Sequence, residues 1–303
     1  MDRARPPTAA IVGPTASGKS EVAMTVARYH RDVELVAVDA MQVYRGMDIG
    51  TAKPTAAERA EVAHHLLDLA EPSEECSVAG WRAAADEALR GIREREHRAV
   101  LVGGTGLYLR AVVDQLELPG RWPEVRAELD AEPDERALHT RLAGLDPVAA
   151  GRMEPTNRRR VVRALEVTLG SGQRFSDFGP GLEAYPRVPT LQVGLRPALG
   201  ELDRRIADRV AAMAEAGLVE EVAGLLDRPG GLGRTASQAL GYREVAAALR
   251  GATSVEEALE ETVRRTRAYA RRQLRWFRRD PRIAWCETVG EATDRLGQWA
   301  TCA

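Results

Sequence analysis

Lysine is nearly absent from this chain. Among 303 residues only Lys19 and Lys53 carry an ammonium side chain, although lysine and arginine together number 43. Arginine supplies almost all the positive charge, and a retained lysine marks a place where a slim point-charge donor is needed. Cysteine is scarce too. Cys76, Cys286 and Cys302 are odd in number and scattered, which excludes a disulfide framework and a paired zinc spacing and predicts reduced thiols in a cytoplasmic protein. Met1–Pro7 contains no apolar stretch of the kind a secretory leader uses, and nowhere do about 18 apolar residues run together to span a membrane. The formal net charge of −2 means that no global basic field advertises nucleic acid. Arginine does cluster locally, at Arg158-Arg159-Arg160 with Arg163 and again over Arg264–Arg279. A charge run of this kind is most often a solvated helix face.

Against these absences one segment stands out. Gly13-Pro14-Thr15-Ala16-Ser17-Gly18-Lys19-Ser20 matches the phosphate-binding pattern G-x-x-x-x-G-K-[ST]. It follows the apolar run Thr8–Val12 and opens a helical pattern from Glu21 to Ala27, the strand–loop–helix context that the motif requires. Such a loop turns successive backbone N–H groups inward at a helix N-terminus, where the helix dipole also favours negative charge. Lys19 then reaches phosphate oxygens and the Ser20 hydroxyl ligates Mg²⁺. A glycine-rich turn that merely caps a helix gives no reason for placing one of two lysines there.

The first part of the chain alternates short apolar runs with helical patterns, which predicts a parallel sheet built from βαβ units. Strands are expected at Thr8–Val12, Val33–Val38, Ala99–Val102 and Thr190–Leu195, with a helix over Ser77–Arg95 and a glycine turn Gly103-Gly104-Thr105-Gly106. Between about 119 and 185 the sequence is polar and helical with proline punctuation, a helical insertion in a doubly wound core made of residues 1–118 and 186–303. Pro119-Gly120 and Pro180-Gly181 have the character of hinges. Helices are expected at about 199–227, 236–250 and 254–279, followed by the short apolar segment Arg282–Cys286. On the last helix Val263, Ala270, Leu274 and Phe277 form an apolar stripe, and Arg264, Arg271, Arg275 and Arg278 lie on another face.

Asp39 ends the second strand. In open α/β sheets the site lies at the carboxyl ends of the strands, which puts Asp39 beside the phosphate loop. Three readings stand at this point: a turn residue, a Mg²⁺ ligand, or a general base for an attacking group. The polar connection Ala40–Pro54 that follows is long for a compact domain, and loops of such length are more often functional than idle. His64-His65 is not read as a metal site, because adjacent side chains seldom converge on one ion.

Taken together, several blocks resemble the bacterial tRNA isopentenyltransferase (dimethylallyltransferase) family over nearly the whole chain. They are GPTASGKS, the segment VDAMQVYRGMDIGTAKP, His64–Asp68, Leu101–Tyr108, Arg160–Val167, Gln238–Glu244, Thr266–Gln273 and Trp276-Phe277. The phosphate loop alone is shared by many nucleotide enzymes; the block from Asp39 to Pro54 is far more specific. Two departures are visible: Ala40 replaces the family's usual Ser, and Gly80-Trp81 the usual acid and Phe.

The resemblance implies a phosphate-loop α/β fold and transfer of a dimethylallyl group from dimethylallyl diphosphate to the adenine 3′ of the tRNA anticodon, releasing diphosphate. It places the diphosphate on Gly13–Ser20, with Mg²⁺ on Ser20, and assigns Asp39, Thr105 and Arg209 to the reacting groups. Thr105 reads equally as a helix N-cap. It implies further that Asp39, Ala40, Met41, Gln42, Thr105, Arg126, Arg159, Arg160, Arg163, Gln238, Gly241, Tyr242 and Arg243 contact the anticodon stem-loop. A monomer is expected. Two rivals remain: a kinase, disfavoured because Ala99–Val102 carries no carboxylate for a metal, and a non-catalytic RNA-binding module, which leaves Lys19 unexplained.

Overall fold

The computed structural model describes residues 8–179 and 181–302. Met1–Pro7, read above as lacking a leader, and Pro180 of the second predicted hinge lie outside the described residues. The chain packs as two units. One comprises the residues up to Asp114 and those from Arg187 on; the other is Gln115–Pro186.

The larger unit runs β1 (Thr8–Val12), α1 (Lys19–Tyr29), β2 (Val33–Val38), α2 (Ala56–Glu61), β3 (His64–His65), α3 (Val78–Glu94), β4 (Arg98–Gly103) and α4 (Gly106–Val113). The smaller contains α5 (Pro123–Ala131), α6 (Glu135–Leu145), α7 (Pro147–Gly151) and α8 (Arg158–Ser171), wrapped around Leu129, Leu138, Leu142, Val161, Val162 and Leu165. The larger unit then resumes with β5 (Leu191–Leu195), α9 (Leu199–Glu215), α10 (Leu218–Leu226), α11 (Tyr242–Leu249), α12 (Val255–Phe277), β6 (Ala284–Cys286) and α13 (Val289–Cys302).

Its six strands are all parallel, in the order β3-β2-β4-β1-β5-β6. The central strands are buried on both faces, so they read as continuous Val/Leu/Ala runs rather than alternating ones. α1 and α13 bury one face of the sheet, and the other is covered by Trp81, Leu89 and Ile92 of α3, with Leu218, Val222 and Val245 from the later helices in the same cluster.

Register matters most for function. Val12 pairs with Gly103, and Gly103 with Val38. The next residues, Gly13, Gly104 and Asp39, therefore leave the sheet side by side at one edge. The phosphate loop, the glycine turn and the Asp39 turn are neighbours because β4 inserts between β1 and β2.

Three local features differ from the sequence expectation. The helical run at 199–227 breaks into α9 and α10 because Gly217 adopts φ 98°. The helix expected at 236 begins as a short 3₁₀ turn and becomes α-helical only after Gly241, at φ 88°. β3 and α2 were not foreseen; two residues are too few for a period, and α2 buries none of its own side chains.

Candidate active site

The phosphate loop owes its shape to three residues with positive φ: Gly13 at 146°, Gly18 at 99° and Ala16 at 61°. Gly18 is also the N-cap of α1, and among the described residues no side chain caps the first amides of the helix. That is the electrostatic setting an anion needs. Ser17 Oγ is buried and has no hydrogen-bond partner among the described residues. Lys19 Nζ donates to Pro14 O at 2.6 Å. Burial, aided by the Arg209 guanidinium, lowers the Lys19 pKa to about 7, with Asp39 opposing the shift.

Asp39 realises the first of its three readings without excluding the others. Its Oδ1 accepts from the Met41 amide at 2.8 Å and the Gln42 amide at 3.3 Å, which folds the chain back immediately after β2. Burial raises the carboxyl pKa; the two amides, Lys19 and Arg209 act against that shift. Arg209 comes from α9, donates to Thr51 O at 3.5 Å, and makes no ion pair among the described residues. Burial lowers its pKa, and Asp39 partly offsets this.

Thr105 occupies the N-cap position of α4, yet its side chain makes no capping hydrogen bond. The N-cap reading is thus met in position only, and the side chain hydrogen-bonds Tyr269 instead. The turn around it is shaped by close approach: a Cβ on Gly104 would run into the Gln273 side chain, and one on Gly106 into the Trp276 indole.

These pieces surround a cavity of about 580 Å³ that lies wholly within the larger unit. Its polar side carries Thr15, Lys19, Asp39, Thr105, Arg209 and Gln273; Met24, Leu35, Ala37 and Val102 give it an apolar wall. Such a combination suits a ligand with a charged head and a hydrocarbon tail. Ser20 lines the cavity as well, and among the described residues no group of three or more His, Cys, Asp or Glu is placed to hold a metal. A hydroxyl with few protein partners fits a cation that takes most of its oxygens from phosphate and water, the habit of Mg²⁺.

Of the residues expected to face RNA, Ala40, Met41, Gln42, Gln238 and Gly241 line this same cavity. Tyr242 does not. It is fully buried and donates its hydroxyl to Glu221 Oε1 at 2.5 Å, while the Glu221 carboxylate accepts from the amides of Asp48, Ile49 and Gly50. Arg243 is exposed on α11. In the smaller unit Arg159 and Arg160 are exposed on the first turn of α8. Arg163 bonds Glu166 at 2.9 Å and donates to the carbonyls of Pro119 and Gly120, and Arg126 pairs with Asp130 at 2.8 Å and approaches Glu166 at 3.8 Å.

Two cavity residues received no role from the sequence. Tyr269 and Gln273 fall on α12 in a stripe of uncharged polar side chains, Thr262, Thr266, Tyr269 and Gln273, all lining the cavity. That stripe, at helical spacing between arginines and apolar residues, is the legible signal. His64 and His65 are engaged locally, by Val62 O and by the buried Glu34 carboxylate.

The chain is similar to known proteins over most of its length. The model of the IPP transferase family matches residues 42–280. A tRNA dimethylallyltransferase of Kineococcus radiotolerans is 50% identical over 94% of this chain and 92% of its own length. The crystal structure of a full-length tRNA isopentenylpyrophosphate transferase from Bacillus halodurans is 38% identical, covers 97% of both chains and superposes with a TM-score of 0.70. A eukaryotic dimethylallyltransferase captured acting on tRNA is 25% identical, covering 98% of this chain and 76% of its own, with a TM-score of 0.75. With a family model that matches residues 42–280 and identity of this extent over nearly the whole chain, the chain belongs to the IPP transferase family.

Proposed function

We propose that this chain transfers the dimethylallyl group of dimethylallyl diphosphate to the exocyclic N6 amine of the adenine 3′-adjacent to the tRNA anticodon, releasing diphosphate. The observation that carries the reading is one cavity with a phosphate loop that has no side-chain cap, two cations without carboxylate ion pairs among the described residues, and an apolar wall beside them. Loop amides, Lys19 and Arg209 hold the diphosphate, and the prenyl tail lies along Met24, Leu35 and Val102. The adenine leaves the anticodon stack to enter, which costs a few kcal/mol.

In the reaction the C1–O bond breaks with its electron pair going to diphosphate, and the amine nitrogen forms the new bond to C1. Allylic carbon bears positive charge well, so stabilising the leaving group is the main task, and fixed cations and amides do this without reorganising. Asp39 receives a hydrogen bond from the amine through the carboxylate oxygen not engaged in the turn, and takes the proton as the bond forms. Thr105 orients the amine. Ser20 would hold Mg²⁺, which when bound would supply positive charge at the leaving group. Exposed Arg159 and Arg160 meet phosphates of the anticodon stem-loop, with Arg126 and Arg163 supporting that surface through Glu166. The enzyme works in the cytoplasm; among the described residues no helix is long and apolar enough to cross a membrane.

The test is to incubate the protein with Mg²⁺, dimethylallyl diphosphate and unmodified tRNA, digest the RNA and weigh the nucleosides. A prenylated adenosine is expected, dependent on both substrates. Turnover with ATP as sole phosphate donor and none with the prenyl donor would overturn the reading.

A further inference from the structure

The phosphate loop is not held by the sheet alone. Gln273, from α12, accepts the Thr15 amide on Oε1 at 2.9 Å and donates through Nε2 to Gly104 O at 2.9 Å. Thr15 belongs to the loop and Gly104 immediately precedes Thr105, so one side chain bridges the two turns that leave β1 and β4. Gln273 is buried, 7% exposed, and both ends of its amide are satisfied. A neutral amide is the only common side chain of this length that accepts at one end and donates at the other. Gly104 has no side chain because the Gln273 amide occupies the space a Cβ would need. One turn earlier on α12, Tyr269 faces Thr105, Gln273 and Asp39, and burial together with the Asp39 charge pushes its hydroxyl up to about 12, so it stays protonated at neutral pH.

The bridge also reassigns one group. The Thr15 amide is already bonded to Gln273 and is not among the loop donors left for diphosphate. From this we infer that Gln273 is a positioning residue that locks the donor cradle to the turn carrying Thr105, setting the line between the leaving diphosphate and the incoming amine. The inference rests on the prenyl-transfer reading for its consequence, but the bridge itself is testable without it.

Gln273→Met keeps the length and burial of the side chain and removes both polar ends. Exchange of the Thr15 backbone amide with solvent should become faster, whatever the substrate. With saturating donor and tRNA the single-turnover rate should fall about 10–100-fold, the scale of a roughly 1 Å misalignment of reacting groups. Affinity for inorganic diphosphate should change little, since Lys19, Arg209 and the remaining amides are untouched. In a Thr105→Ala background the cost of Gln273→Met should shrink toward nothing, because the partner to be aligned is gone. Gln273→Glu keeps an acceptor for Thr15, so that amide should stay protected while the lost donation to Gly104 still slows turnover. Unchanged Thr15 exchange in Gln273→Met overturns the bridge. Equal costs in both Thr105 backgrounds, or a loss of diphosphate affinity as large as the loss of rate, overturns the positioning role. If the parent protein fails to prenylate tRNA, the functional reading falls, and Thr15 exchange alone decides the bridge. If Gln273→Met does not fold, Gln273→Glu decides the positioning role by the split between retained Thr15 protection and slowed turnover.

Discussion

The chain's two lysines sit in two loops at the same edge of the sheet, and those loops treat polar groups in opposite ways. In Gly13–Ser20 the Thr15 amide is held by Gln273 and the Ser17 amide by Pro14 O, but other donors are left uncommitted: among the described residues the helix N-terminus has no side-chain cap, the Ser17 hydroxyl has no partner, and Lys19 donates only to a carbonyl of its own loop. In the connection after Asp39 nearly everything is committed internally. Lys53 is buried and bonds Tyr44 O, Asp48 and Asp68 at 2.6 to 2.7 Å; the Gln42 side chain donates through Nε2 to Thr51 O and Ala52 O; Glu221 gathers three backbone amides. Val43, Tyr44 and Met47 are fully buried beneath it. The same residue type thus serves ligand binding in one loop and rigidity in the next. The difference lies in whether carboxylates are close enough to neutralise the ammonium. A site must keep some polar groups poorly satisfied; the frame around it cannot.

The sharpest test of that contrast is Asp39, which opens the second loop and lines the cavity beside the first. Asp39→Asn keeps an oxygen to accept from Met41 and Gln42, so the turn and the melting temperature should hold. It places a donor where the amine's acceptor was, and the single-turnover rate should drop about 10²–10⁴-fold, the usual weight of a general base. Donor affinity should stay close to the parent value. Recovery of most of the rate on raising Mg²⁺, together with weakened donor binding, would instead place Asp39 in the metal's shell.

Lys53→Met should act on stability and spare chemistry. The lost bonds connect a buried ammonium to partly exposed carboxylates, so the cost is about 1–3 kcal/mol rather than that of a fully buried pair. Denaturant midpoints should show it, with turnover at low temperature little altered. A collapse of turnover without loss of stability would mean that the connection is a ligand site after all.

Lys19 carries a pH signature. With a pKa of about 7 in the free protein, Lys19 is charged below neutrality and increasingly uncharged above it. A bound diphosphate favours the ammonium and raises that pKa. Diphosphate affinity should therefore be strongest below pH 7 and weaken above it, by up to roughly tenfold per pH unit for one linked proton. Titration calorimetry in buffers of different ionisation enthalpy should report proton uptake at pH 8, and Lys19→Met should flatten the curve.

The smallest effect belongs to Tyr242→Phe. Removing the hydroxyl leaves Glu221 Oε1 with the Gly50 amide and should cost about 0.5–1.5 kcal/mol, the net worth of one hydrogen bond. Binding of the anticodon stem-loop should be unaffected if the side chain acts only through Glu221. A clear loss of tRNA affinity at unchanged stability would restore a direct contact.

Much of this was legible beforehand, for reasons that differ by element. The strands at Thr8, Val33, Ala99 and Leu191 could be read because parallel strands buried on both faces leave unbroken apolar runs. α3 announces itself through its Ser77 cap and the spacing of Trp81, Ala85, Leu89 and Ile92. Lys19 and Arg209 were identified from motif and resemblance, and the structure brings both into one cavity. Tyr242 was harder. Nothing in Gly241-Tyr242-Arg243 says which side chain turns inward, and that choice depends on Glu221, which arrives from a different helix.

The sequence by itself determined the parallel sheet, the phosphate loop and the family, because these depend on local patterns: apolar runs, two spaced glycines leading into Lys19-Ser20, and a polar block following Asp39. Only the tertiary structure decided how the donors are shared out. Insertion of β4 between β1 and β2 makes neighbours of Gly13, Gly104 and Asp39, and α12 then carries Gln273 across 258 residues of chain to the Thr15 amide. A hydrogen bond between residues so far apart leaves no trace in local periodicity. Its donor and acceptor are chosen by the register of strands and the approach of a helix, which exist only once the core has packed.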